Sequence, residues 1–223
     1  MKHNQMRQVV FPILAAFIWG TSFVSQDICA DSMGAFTFNG TRYFIAVLSL
    51  LVVIAVMNAT RKDRPQPTAE EKKASRKQLW LGGLCCGTAL AIASNFQQAG
   101  LVAGTDAGKA GFITALYVVL VPLLGVFFGR RPGVKLGICA CISLAGLYLL
   151  CLAGHDTLTL TGGEWMLLLC SLLFAFQIML VDHYSPRLDG VQLSFAEFFA
   201  TAVLSTIFMF VFETPTFAQI QGC

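Results

Sequence analysis

Three residues near the middle of the chain, Gly104, Gly108 and Lys109, are of the types found in phosphate-binding loops. A P-loop, however, has four residues between its glycines and a Ser or Thr after its lysine, whose hydroxyl holds magnesium. Here three residues separate the glycines, and Ala110 follows the lysine. The spacing argues against nucleotide binding and favours a lysine at the start of a helix.

Arg42 is a charged residue about seven positions inside an apolar stretch, a depth of roughly 10 Å along a helix. Ionisable groups at such depth are costly and usually face a cavity or a partner. Because a guanidinium presents paired donors to a carboxylate, Arg42 is a candidate for attracting an anionic substrate. The alternative is a structural arginine that snorkels or pairs with Asp27 or Asp31.

Amides and hydroxyls in the neighbouring apolar stretches form a second candidate group. Asn95 and Gln98 are three residues apart and share a helix face, whereas Gln97 points elsewhere. Amides in lipid need partners, which either helix packing or a substrate supplies. Thr114 and Tyr117 have the same spacing and could add a pair of hydroxyls to a cavity.

Lys109 lies close to the outer boundary of its stretch. It either snorkels to the headgroups or lines an electropositive vestibule together with Arg42. The predicted substrate-binding residues are therefore Arg42, Asn95, Gln98, Lys109, Thr114 and Tyr117.

Glu197, about seven residues inside the last apolar stretch, is the candidate for proton coupling. A carboxyl group in that setting can take up and release a proton during transport. The alternative is an ion pair with an arginine or a position facing the cytoplasm. Pro122 has no backbone N–H, and we expect it to kink the helix that contains it.

The composition explains why these few polar residues are informative. Hydrophobic residues make up 56% of the chain and charged residues 12%, whereas soluble domains carry roughly a quarter charged residues. The formal charge of +3 is therefore no sign of a nucleic-acid partner, and the lipid bilayer is the expected one. Most of the eight cysteines fall in apolar stretches and are interpreted as packing residues. No spaced metal ligands and no cofactor motif occur, so neither a metal nor a cofactor is expected.

Seven apolar runs approach the ~20 residues that a helix needs to cross a membrane. They cover residues 9–27, 36–57, 79–102, 107–128, 134–153, 164–182 and 191–212. The first is too long and too polar for a cleaved signal peptide, and none alternates as barrel strands do. The predicted fold is an all-α, polytopic transmembrane helix bundle of about seven spans.

The distribution of cations predicts the orientation. With the N-terminus in the cytoplasm, thirteen of the fifteen Lys and Arg residues fall on the cytoplasmic side: Lys2, Arg7, Arg61, Lys62, Arg64, Lys72, Lys73, Arg76, Lys77, Arg130, Arg131, Lys135 and Arg187. The other two, Arg42 and Lys109, lie within spans. This bias predicts a multi-pass protein of the cell membrane. The long segment 58–78 is then a polar cytoplasmic linker.

Two segments of the chain resemble each other. Residues 34–49 and 190–205 share an initial glycine and a final AVLS, and five spans separate their helices. The copies therefore cross in opposite directions, as in the inverted repeats of secondary transporters. We divide the chain into a five-helix unit (1–153), a partial second unit of two helices (164–212) and a short tail (213–223). The chain then ends part-way through the second unit, unless a partner, for instance a second copy in a homodimer, completes it.

Several segments resemble the drug/metabolite transporter superfamily in its EamA-domain branch. They are AFIWGTSFV (16–24), TRYFIAVLSL (41–50), residues 94–133 across the third and fourth spans, KLGICACISLAGLYLLCL (135–152) and residues 168–205. The resemblance implies ten helices in two inverted five-helix domains, which carry small polar metabolites by alternating access without hydrolysing ATP.

The expected function is therefore secondary active transport, export or import, of a small polar metabolite or drug-like compound. The alternative is a truncated or non-transporting membrane subunit that pairs with another chain to complete a helix bundle. An enzyme is not expected, because no acid, histidine and nucleophile converge at a recognisable spacing.

Overall fold

The computed structural model describes residues 2–60, 69–129, 133–151 and 160–213. These ranges are helical apart from short connections, with one 3-10 turn at Ser185–Arg187. The α-helices are α1 (Lys2–Ala30), α2 (Ala35–Thr60), α3 (Ala69–Val102), α4 (Ala107–Ala115), α5 (Tyr117–Phe127), α6 (Val134–Cys151), α7 (Gly162–Tyr184) and α8 (Gly190–Phe212). Six spans are long and apolar enough to cross a membrane, and Val134–Gly146 is a shorter apolar segment. The predicted all-helical polytopic bundle is confirmed.

The fourth predicted span consists of two helices, α4 and α5, which meet at Leu116. The N–H of Leu116 donates to the carbonyl of Ile113, three residues earlier, at 3.2 Å, so the regular α-helical pattern is interrupted there. Pro122 lies inside α5, beyond the interruption. Its missing N–H removes the bond to the carbonyl of Val118 and weakens the first turn after the break.

The polar linker 58–78 is largely helical at both ends. Helix α2 continues to Thr60, and α3 begins at Ala69, ten residues before the predicted start of its span. The sequence AEEKKASRKQ at that end is rich in strong helix formers, which explains the extension. Several sequence-based expectations lie outside the described residues: the linker centre (61–68), the tail beyond Glu213, and the cations Arg61, Lys62, Arg64, Arg130 and Arg131.

Helix α3 packs against α7 and α8 at positions where it carries glycine. Gly83 and Gly87 are four residues apart and therefore lie on one face. A Cβ at Gly87 would lie 2.7 Å from the Cβ of Ala200, and a Cβ at Gly83 would clash with Ala196. Small residues at this spacing let two membrane helices approach closely. The α3–α8 crossing depends on that approach.

Helices α2 and α8, which carry the two similar segments, pack as an antiparallel pair. Phe36 at the start of α2 stacks on Phe212 at the end of α8, with ring centroids 5.7 Å apart. Further along, the Tyr43 and Phe198 centroids are 5.5 Å apart. Glu213 ends α8, and its carboxylate accepts hydrogen bonds from the backbone N–H groups of Phe36 (3.0 Å) and Thr37 (2.8 Å). Glu213, directly after α8, thereby caps the N-terminal end of α2.

The cysteines divide into two kinds. Cys86 and Cys170 are fully buried free thiols, which agrees with their interpretation as packing residues. Cys29, near the end of α1, is disulfide-bonded, which the sequence did not predict. Apolar sequence around a cysteine does not report whether a second sulfur lies within bonding distance.

Candidate functional site

Six helices contribute side chains to one cavity of about 320 Å³. Its lining combines aromatic rings with one guanidinium and one amide. The lining residues are Trp19, Arg42, Tyr43, Leu90, Gln97, Tyr117, Phe174, Ile178 and Phe198. Of the predicted substrate-binding residues, Arg42 and Tyr117 lie here, at the level where α1, α2, α3, α5, α7 and α8 meet.

Arg42 supplies the positive charge of the cavity. Its Nη2 donates to the hydroxyl of Tyr43 at 3.2 Å, and its guanidinium carbon lies 4.9 Å from the Tyr43 ring centroid and 5.4 Å from that of Phe38. Cation–π contacts contribute about 0.5–2 kcal/mol, depending on how far the cation is removed from water, and Arg42 is partly buried. Within the described residues no carboxylate, Asp27 and Asp31 included, lies within ion-pair distance of Arg42. Two aromatic rings and one hydroxyl hold the guanidinium in place.

Aromatic rings form most of the cavity wall. The Trp19 and Tyr117 centroids are 5.5 Å apart, and those of Tyr117 and Phe174 are 6.4 Å apart, so three helices contribute one continuous row of rings. Tyr43 and Phe198 form a second pair. Tyr117 is the first residue of α5, directly after the helix break at Leu116.

Of the amides Asn95, Gln97 and Gln98 on α3, Gln97 is the one that lines the cavity. Its Nε2 donates to Thr114 Oγ1 at 3.4 Å, and Thr114 is fully buried behind the wall. Asn95 and Gln98 are engaged in helix packing instead. Asn95 donates to Ala91 O (2.7 Å) and Ser205 Oγ (3.1 Å), and Gln98 donates to the carbonyl of Gln26 at 2.9 Å.

A buried polar layer joins α2 and α3 beside the cavity. Asn39 donates to the carbonyl of Ser94 (2.9 Å) and to Asn95 Oδ1 (3.1 Å), and the hydroxyls of Tyr43 and Ser94 are 2.6 Å apart. Because Tyr43 also accepts from Arg42, this layer fixes the position of the cavity's charged group. Such a shared network orients a side chain more firmly than a single contact.

Lys109 lies outside the cavity lining. It forms an ion pair with Glu164, whose side chain is 4% exposed. Glu164 lies in the first turn of α7 and forms a capping box with Thr161. The carboxylate of Asp106 caps α4 by accepting from Gly108 N (2.9 Å) and Lys109 N (3.2 Å). The N–H groups that a phosphate would need are therefore already occupied.

Glu197 is 5% exposed and accepts a hydrogen bond from Gln177, across the α7–α8 contact. It precedes Phe198 but does not itself line the cavity. Among the described residues no group of three or more His, Cys, Asp or Glu side chains is arranged to hold a metal ion.

Comparison with known proteins places this arrangement in a family. Residues 6–152 match the EamA-like transporter family. The chain belongs to that family. An uncharacterized transporter of Archaeoglobus fulgidus is 32% identical to this EamA-like chain over 205 residues, which are 92% of the chain and 58% of the relative. The chain thus spans 58% of the length of the curated relative that it matches. No solved structure matches it.

Family membership and the six long apolar helices together establish a multi-pass membrane protein. The resemblance to the drug/metabolite transporter superfamily is confirmed.

Five residues that line the cavity of this EamA-like chain were not among the substrate-binding residues predicted from the sequence: Trp19, Tyr43, Gln97, Phe174 and Phe198. With 19 phenylalanines in the chain, an aromatic residue by itself carries little signal. The sequence feature that could have pointed to Tyr43 is its position next to Arg42, since a charged residue in an apolar stretch needs a polar neighbour.

Proposed function

We propose that this chain carries a small organic anion across the membrane by alternating access, with the cavity around Arg42 as its binding site. One observation carries the proposal. The guanidinium of Arg42 lines the cavity, and the described residues place no carboxylate within ion-pair distance of it.

The energetic reason is charge compensation. An arginine in a helix that crosses lipid remains protonated, and its burial is costly unless a partner or a water-filled cavity offsets the cost. Two aromatic faces and one hydroxyl offset part of it here. A bound carboxylate or sulfonate would supply the missing negative charge and accept the remaining N–H donors in a paired arrangement.

Two features of the fold support a moving carrier. The helices with similar sequences, α2 and α8, cross in opposite directions, as in transporters built from inverted repeats. The fourth span is interrupted at Leu116, beside the cavity residue Tyr117. Discontinuous helices commonly form the binding sites of such carriers.

Glu197 is the proposed proton carrier. It is a buried carboxyl group whose hydrogen-bond partner, Gln177, lies on a different helix. Protonation would change the strength of that α7–α8 contact and would so couple proton binding to helix movement. The next residue, Phe198, lines the cavity, so the carboxyl group of Glu197 is one residue away from the cavity wall.

The proposed location is the cell membrane, with the N-terminus in the cytoplasm. The junctions around α2–α3 and α5–α6 then hold the clustered cations of the sequence. This is the side that positive residues favour. A fluorescent-protein fusion before Met1 should fluoresce inside cells, and an N-terminus open to external protease would contradict the proposal.

Influx into proteoliposomes tests the function. The test compounds are radiolabelled benzenesulfonate and cyclohexanesulfonate, because sulfonates stay ionised and do not cross bilayers as neutral acids. We expect at least one anion to enter several-fold faster than into protein-free liposomes. Equal rates for both anions with and without protein would contradict the proposal.

The same assay tests proton coupling. An imposed pH gradient should change influx through the unmodified protein, and Glu197→Gln should abolish that response because an amide cannot bind the proton. Asp31→Asn, a change at an exposed acid just after α1, serves as the control. Gradient-dependent influx that persists in Glu197→Gln would exclude Glu197 as the carrier.

A further inference from the structure

The geometry points to a planar aromatic anion as the preferred ligand of the cavity, with its charged group at Arg42 and its ring among the aromatic side chains. This inference rests on the proposed function and adds the chemical class of the cargo. It assigns specificity to Trp19, Tyr117 and Phe174, which take no part in recognising charge.

The argument begins with the composition of the wall. Five of the nine lining residues are aromatic, and they come from α1, α2, α5, α7 and α8. Separate helices therefore place rings at one level of the bundle. Tilted rings with centroids near 5.5 Å, as between Trp19 and Tyr117, have the geometry in which aromatic groups attract each other.

A ligand ring can join such a row in the same way. An aromatic pair is stabilised beyond what its buried area gives, because the edge of one ring is positive and the face of the other negative. A saturated ring of the same size buries similar area but lacks this term. The wall should therefore distinguish a flat ring from a cyclohexane chair when charge and ring size are equal.

The polar lining limits the charge of the ligand. Aromatic faces alone would also suit an organic cation. Here the guanidinium of Arg42 already lies over the Tyr43 ring, at 4.9 Å from the centroid. A second cation in the cavity would meet that charge, whereas an anion would pair with it. The amide of Gln97 adds a neutral polar contact.

Isothermal titration of the purified full chain in detergent tests the inference. The ligands are benzenesulfonate, cyclohexanesulfonate and the neutral benzenesulfonamide. We expect benzenesulfonate to bind about tenfold more tightly than cyclohexanesulfonate, the ratio expected from one or two aromatic contacts. Benzenesulfonamide should bind more weakly than either anion.

Substitutions in the cavity wall show which residues cause the preference for an aromatic ring. Phe174→Leu and Tyr117→Leu should reduce the benzenesulfonate-to-cyclohexanesulfonate ratio towards one, while Tyr117→Phe, which keeps the ring, should retain it. Phe176→Leu is the matched control, since Phe176 lies on the same helix but is 48% exposed and outside the cavity. A thermal-melting measurement on each variant confirms that it is folded.

The outcomes separate the two proposals. Equal affinity for both anions, with both weakened by loss of Arg42, would overturn the aromatic preference and leave the proposed function intact. A preference that survives Phe174→Leu and Tyr117→Leu would overturn its assignment to this cavity. If neither anion binds and neither enters proteoliposomes, both proposals fail.

Discussion

Replacing Arg42 with glutamine is expected to weaken benzenesulfonate binding about 10- to 100-fold. Among the described residues that line the cavity, Arg42 alone is positively charged, and a hydrogen bond to a charged group contributes about 1.5–3 kcal/mol. Glutamine retains a polar end of moderate length, so the cavity should keep its shape. Isothermal titration gives the affinity, and proteoliposome influx should fall in parallel.

Two further variants show that the effect belongs to this guanidinium. Arg42→Lys keeps the charge but loses the planar pair of donors, and we expect an intermediate affinity. Arg76→Gln removes an exposed cation from α3 and should leave binding unchanged. Wild-type affinity in Arg42→Gln, in a protein with normal thermal melting, would remove Arg42 from the site.

Replacing Gly87 with alanine is expected to destabilise the folded protein. The added methyl group would lie 2.7 Å from the Cβ of Ala200, well inside van der Waals contact. Overpacking of this kind typically costs about 1–3 kcal/mol, because helices or side chains must move apart. Gly87→Leu should sharply reduce the yield of folded protein. Thermal melting in detergent measures the stability of both variants.

The matched control is Gly137→Ala on α6. Apart from its own helix backbone, no atom of the described residues lies within 4 Å of a Cβ built at Gly137, so the same change adds a methyl group to open space. Alanine also favours the helix more than glycine does. We therefore expect unchanged or slightly raised stability. Equal melting temperatures for the two alanine variants would show that the α3–α8 crossing tolerates a wider separation than its geometry indicates.

The membrane fold could be predicted from the sequence because lipid imposes simple requirements. Every backbone polar group must be satisfied within its own helix, so each apolar run is expected to be helical. The break at Leu116 could not be predicted from the same rule. Pro122 indicated a weak point in that helix, but the residue at which the helix breaks depends on its neighbours.

The cavity was harder to predict than the fold. Asn95 and Gln98 are three residues apart on α3, and this spacing predicts that they share one face of the helix. Which face points towards the cavity depends on how α3 is rotated against α7 and α8. The structure directs Gln97 into the cavity and its two neighbours into helix contacts. Rotation of this kind is set by glycines such as Gly87 and Gly100, whose partners lie far away in sequence.

The contacts at one end of the bundle have a kinetic consequence. The Lys109–Glu164 ion pair links the starts of α4 and α7, and Glu213 links the end of α8 to the start of α2. A movement that separates α4 from α7 at this end must break the ion pair, and one that separates α8 from α2 must break the bonds to Glu213. In the transport cycle proposed above, the lifetime of the state with these ends joined would therefore depend on the strength of both contacts, although neither lines the cavity.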